Sequence, residues 1–317
     1  MKLKTQKTVQ QNQTGTTWKR ICTYKHIYIM LIPVVAYYIL FHAVPLYGIT
    51  LAFRSFKPGG LYNMFFGGKW MGLQYFEQIF SDAMFWRAVK NTLILSMIKL
   101  VIYIPITIVF VLLLNELKTM KLKKFSQTIS YLPHFLSWVV IGGIFIQLMS
   151  VNGAVTNLVI KITGNPNVSL LTDTKIFRWV LLISTIYKSL GWDTIIFLAA
   201  LSGISQELYE AAECDGANRF RQVMHITLPS ILPTISIVLL MNISSMLNGN
   251  FDQVYTLYNT SVYEVGDIIE TYNYRLGISQ GKFGPATAVG IFKTIIACTL
   301  LSVSNTFSGK LLGTGMY

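Results

Sequence analysis

Charge is scarce in this sequence, and acid is scarcer than base. Only 12% of its 317 residues are Asp, Glu, Lys or Arg, and 13 acids stand against 26 bases. Soluble domains carry about 25% charged residues. So little polar surface cannot coat a globule of this length in water, and a water-soluble domain is excluded. Cysteine is nearly missing. Cys22, Cys214 and Cys298 are not offered as a pair to an oxidising compartment, so no disulfide is expected. His42, His134 and His225 lack metal-ligand spacing, which argues for packing or interfacial roles. No H-E-x-x-H set occurs, and no closely spaced acids fall at a fixed depth within the spans, which leaves a membrane-embedded enzyme without catalytic groups. The alternative of an ion-coupled secondary transporter or channel lacks paired inverted repeats and any filter-like stretch. No G-x-x-x-x-G-K-[ST] occurs either: Gly68-Lys69 and Gly281-Lys282 lack both the upstream glycine and the following Ser or Thr.

What is present is apolar. Hydrophobic residues make up 53% of the chain, and the mean hydropathy is +0.51. They cluster in blocks long enough to cross a hydrocarbon core, which takes about 20 helical residues. The pattern predicts an all-α integral membrane protein of about six spans, near residues 27–53, 89–114, 129–150, 179–201, 231–247 and 286–303. Pro33, Pro45, Pro105 and Pro133 fall inside these runs and predict bent helices whose freed carbonyls find partners on neighbours. Residues 1–26 form a basic tail with Lys2, Lys4, Lys7, Lys19, Arg20 and Lys25 and no acid. The 115–128 loop adds Lys118, Lys121, Lys123 and Lys124 against Glu116 alone. The positive-inside rule places both segments, and with them both termini, in the cytoplasm. The excess of base is thus a topology signal, and no water-facing basic domain is available for a nucleic acid. The long polar start and the missing A-x-A site argue against a cleavable signal peptide.

One cytoplasmic loop, 202–230, mixes acids with bases and reads as ordered. Ser205 is an N-cap, with Glu207 in the first helical turn, where the helix dipole favours an acid. Residues 206–215 then form a short helix. Gly216 stands where a left-handed C-terminal stop belongs. A second short helix is expected over 218–226, with Pro229 ending the unit as the chain returns to the membrane. Ala211 and Ala212 leave one side of this knob without bulk.

The run Glu210-Ala211-Ala212, then Asp215-Gly216-Ala217, Phe220, Ile226-Thr227-Leu228-Pro229 and Pro233 resembles the EAA loop of binding-protein-dependent ABC importer permeases. Ser205 stands where that family more often has proline. Tyr131-Leu132-Pro133-His134-Phe135, Ser137-Trp138-Val139, Gly249-Asn250-Phe251-Asp252 and the stretch from Gly277 to Gly284 resemble its oligosaccharide branch. Within that branch the chain is similar to the LplB-like permeases associated with complex plant or algal saccharides. The resemblance implies the type I importer permease (MetI/MalF-like) fold and a place in a bacterial cytoplasmic membrane. It also implies a homologous second permease, an ATP-binding cassette ATPase dimer and an extracytoplasmic solute-binding protein as partners. ATP and Mg would sit on the ATPase, and this chain would carry no cofactor and no metal. Glu210, Ala211, Ala212, Asp215, Gly216, Ala217, Leu228 and Pro229 would form the coupling element, with Glu210 meeting a cationic group.

For the solute path, polar residues at membrane depth are the candidates. Asn242, Ser245 and Asn248 gather near the end of the fifth span, and Asn242 and Ser245 share a helix face. Lys99, Lys188, Asp193 and Lys293 are ionisable groups inside spans, where such groups face a partner or a cavity. Either Asp193 pairs with one of these lysines, or Lys188 snorkels to an interface. Unpaired Lys99 and Lys293 would attract an acidic saccharide. Helix-to-helix hydrogen bonding explains the polar cluster equally well. Phe251, Tyr255, Tyr258, Tyr263, Tyr272 and Tyr274 suit either the path's entrance, a contact with the solute-binding protein, or anchoring in the membrane interface.

Overall fold

A computed structural model describes residues 24–60, 62–63, 67–244 and 251–312. All its elements are helical, apart from one isolated bridge between Arg54 and Trp70. Among the described residues five helices are long and apolar enough to span a bilayer: α1 (Lys25–Ala52), α3 (Ala83–Asn115), α7 (Phe177–Ser202), α9 (Arg219–Ile243) and α12 (Phe283–Thr306). Short helix α2 (Gln74–Phe80) lies between the first two. The expected third span is not one helix. Helix α4 (Met120–Tyr131) runs into a tight turn over Leu132–Phe135, and α5 (Trp138–Met149) leaves at 101° to the segment before it. The apolar run continues across this turn, so composition alone reads it as straight. Helix α6 (Ala154–Thr163), inside an expected loop, and knob helix α8 (Gln206–Cys214) complete this part.

Prolines shape the spans in a way that differs from a simple kink. Wide five-residue turns occupy Ile39–Ala43, Lys99–Tyr103 and Val223–Thr227, and Pro45, Pro105 and Pro229 each follow two residues later. A proline ring collides with the carbonyl four residues back and offers that carbonyl no N–H. Widening the turn to an i→i+5 pattern moves the carbonyl aside. Backbone bonds from Val44 to Ile39, Ile104 to Lys99 and Leu228 to Val223 close these turns. Pro229 therefore does not end the knob, as expected from sequence. The second knob helix passes through it and becomes the fifth span without a break.

Packed clusters of buried side chains tie the bundle together. Val111, Phe197, Leu201, Ile231 and Ile235 join α3, α7 and α9 beside the knob. Ile141, Phe145, Phe177, Val180, Val254 and Leu257 join α5 and α7 to α10 (Phe251–Leu257). Ile79, Phe85, Ile269, Ala288 and Val289 close the end away from the knob, where α11 (Ile269–Tyr274) meets α12. Gly191 lets α4 approach α7 closely: a Cβ there would lie 2.2 Å from the Ser130 carbonyl oxygen. Helix α1 differs from the rest. It buries only Leu51 and Ala52, at its last turn.

Candidate functional site

Two groups of polar residues stand out from the apolar packing of the bundle. The first is the knob. Ser205 caps α8 by accepting the Glu207 N–H at 3.3 Å. At the other end Ala217 N–H donates to the Ala212 carbonyl and Gly216 N–H to that of Glu213, both reaching back across the turn. This paired pattern needs a left-handed residue, and Gly216 supplies it with φ +75°. Asn218 then caps the next helix, accepting the Arg221 N–H at 2.9 Å. Tyr209 bonds Thr227 at 2.9 Å, which holds α8 against the base of α9. Glu210, Ala211, Asp215, Gly216 and Pro229 are exposed, and Ala212, Ala217 and Leu228 are half-buried. Leu208, Phe220 (73% exposed) and Met224 add apolar surface around them. Glu210 makes no ion pair among the described residues. The knob is thus a locally capped helix that carries exposed apolar side chains and a carboxylate on its surface.

The second group surrounds the middle of the 26-residue α7, where Lys188, Trp192 and Asp193 lie about midway along an apolar span. The turn between α4 and α5 strands carbonyls there. Buried Lys188 Nζ donates to the His134 carbonyl at 2.9 Å and to that of Leu136, and lies 5.5 Å from the Trp138 ring. His134 stacks on Trp192 at 4.4 Å with the rings 3° from parallel. Asp193 accepts the Tyr103 hydroxyl at 2.5 Å. No lysine lies within 4 Å of Asp193 among the described residues, so the expected Asp–Lys pair is not formed. Lys99, Tyr103, Thr107, Trp192, Asp193 and Asn242 line one cavity of about 520 Å³. Asn242 also donates back to the Val238 carbonyl at 2.8 Å.

Lys99 and Asn242 thus line the same cavity, whereas Lys293 lies elsewhere. It lines a larger space of about 990 Å³ between α1, α11 and α12, where its amine pairs with Glu270 at 2.5 Å. The expectation of an unpaired Lys293 is corrected by that contact. Ser245 and Asn248 lie outside the described residues. Sequence reasoning missed Tyr103, Trp192 and Glu270. Lys99, Tyr103 and Thr107 follow a four-residue spacing, as do Lys188 and Trp192, and that signal was available. Glu270 sits outside the spans and gave no sign of reaching Lys293.

Known proteins match this arrangement. Residues 79–312 match the family model described as binding-protein-dependent transport system inner membrane component. The polygalacturonan/rhamnogalacturonan transport system permease protein YteP of Bacillus subtilis (strain 168) is 38% identical over 92% of this chain and 90% of its own length. Protein LplB of the same organism is also 38% identical, over 92% of this chain and 91% of its own. Among solved structures, a bacterial ABC transporter involved in the import of the acidic polysaccharide alginate contains a chain 34% identical to this one. Its TM-score is 0.85, and the match covers 94% of this chain and 99% of that one. The knob, the apolar spans and these likenesses agree: the chain belongs to the binding-protein-dependent transport system inner membrane component family, and is a membrane-embedded permease subunit of a bacterial ABC importer.

Proposed function

We propose that this permease forms half of the path by which an acidic oligosaccharide enters the cell. The 202–230 knob would face the cytoplasm and dock on a separate ATPase, and a second, homologous permease would form the other half. The observation that carries the proposal is the exposed knob: a pre-formed helix with Glu210 and Ala211 on its surface beside apolar Phe220. Apolar area left in water on a capped, rigid element fits a protein partner. ATP-driven closure of the ATPase pair would move the knob, and α9 would carry that motion into the membrane because it continues from the knob unbroken. The names of YteP and of the alginate transporter speak for a uronate-bearing saccharide. Lys99 beside Trp192 supplies a cation and a flat ring for such a unit at mid-membrane.

Reversing the rim chemistry tests the docking. Phe220→Asp combined with Glu210→Arg should abolish co-elution of the ATPase from detergent extracts, while the second permease stays bound. Retention of the ATPase by that variant would remove the coupling assignment.

A further inference from the structure

At the end of the bundle away from the knob, an aromatic cluster plays no part in the mid-membrane cavity. Tyr255, Tyr258, Tyr263, Tyr274, Arg275 and Ser279 line an open cup of about 360 Å³. Its rings face one another. Tyr255 meets Tyr274 edge to face at 5.1 Å, and Tyr258 stacks on Tyr263 at 5.0 Å. Tyr255 remains 44% exposed. Membrane-interface anchors would instead turn their rings toward the headgroups.

The floor of the cup is rigid and electrically matched. Arg275 holds buried Asp267 with both prongs of its guanidinium, at 3.1 and 2.6 Å, and Thr271 donates to the same carboxylate at 2.8 Å. The guanidinium carbon lies 5.0 Å from the Tyr263 ring centre. Tyr274 is shared with the 990 Å³ space behind it, so the cup and that space adjoin. Asn273 also lines the space behind, and its buried Oδ1 accepts no hydrogen bond among the described residues. A buried acceptor left in that state costs free energy, which a ligand donor would recover.

Sugar rings present apolar C–H faces ringed by hydroxyls, which suits flat rings carrying phenol groups. The cup's volume lies at the lower end of ligand pockets, roughly 300–1,000 Å³, enough for a single ring. We infer that the cup is a saccharide subsite at the mouth of the path. One sugar ring stacks among Tyr255, Tyr258 and Tyr274, and the next unit reaches behind Tyr274 and donates a hydroxyl to Asn273 Oδ1. This rests on the proposed saccharide transport. Because Arg275 is matched by Asp267, the subsite selects ring shape and chain length rather than charge.

Uptake by the complete transporter in proteoliposomes tests the subsite, using galacturonate oligomers of two and of six units. A six-unit chain can occupy the cup and the separate cavity of about 520 Å³ together, whereas a two-unit chain is short enough to be held by that cavity alone. Tyr255→Ala should therefore raise the half-saturating concentration of the six-unit oligomer about tenfold, the loss of one ring stack, and leave the two-unit oligomer within about twofold. Tyr255→Phe should restore most of the difference, and Asn273→Leu should show the same dependence on length. Equal effects on both oligomers, or none, overturn the subsite. Reduced membrane insertion with unchanged half-saturation also overturns it and assigns Tyr255 to anchoring. Failure of the unmodified transporter to take up either oligomer would instead remove the saccharide reading itself.

Discussion

Two sharp changes of chain direction in this protein are stabilised by opposite means. At the knob, the turn between α8 and α9 is satisfied entirely from within. Gly216 closes the backbone on itself, and Ser205 and Asn218 cap the helices from two and three residues away. Level with the middle of the apolar span α7, the turn between α4 and α5 is satisfied from outside, by Lys188 on a helix more than fifty residues along the chain. The solvent explains the contrast. Water can serve any carbonyl the knob leaves open, so short-range caps suffice there. Hydrocarbon serves none, so a chain reversal at that depth must recruit a donor from a neighbour.

The largest effect should follow from removing that donor. Lys188→Met leaves the His134 and Leu136 carbonyls unpaired away from water, at a cost of about 3 kcal/mol or more. A clear drop in the unfolding midpoint of the detergent-purified complex is expected, partly recovered by Lys188→Arg. An unchanged midpoint would mean that the turn does not depend on α7. The knob's turn should respond differently. Nothing lies within 4 Å of a Cβ placed at Gly216, so Gly216→Ala tests backbone conformation alone, at about 1–2 kcal/mol. Expected are a loss of ATP-driven uptake, an unfolding midpoint for the spans that stays put, and a milder phenotype for Gly216→Asn. Uptake at the unmodified rate in Gly216→Ala would deny the turn a mechanical role. The smallest effect belongs to Asn218→Ala, about 1 kcal/mol confined to one cap. It should appear as faster amide exchange at Arg221 with the mid-membrane amides unaffected, and exchange spreading into α7 would blur the distinction between the two turns.

The same contrast explains what could be read from sequence. The knob was legible because its stabilising groups are neighbours in the chain: Ser205, Gly216 and Asn218 each announce a cap or a stop at the position they occupy. The α4–α5 turn was not, because Pro133 sits in an apolar run that continues to Met149 and its compensating amine is distant. Pro229 misled for a related reason. A proline normally ends a helix, but the wide turn over Val223–Thr227 removes the collision that would end it. In the cavities, Lys99 and Asn242 were found through the rarity of polar groups at depth. The same rule could not separate them from Lys293, whose partner Glu270 lies outside any span. Farther out, Arg275 and Asp267 stand eight residues apart and form a closed pair. Bonding to Asp267 raises the Arg275 pKa above its ordinary value, and burial raises that of Tyr272 beside it.

The wide turns ahead of Pro45, Pro105 and Pro229 each hold one residue more than an ordinary helical turn. That extra residue rotates everything beyond it by roughly 100° about the helix axis. On α9 it sets which side of the span looks toward the cavity for a given orientation of exposed Phe220 at the knob. Shortening Val223–Thr227 by one residue, with Pro229 replaced by alanine so that the helix stays unbroken, would point Phe220 and the cavity-lining side chains of α9 in directions that no longer correspond.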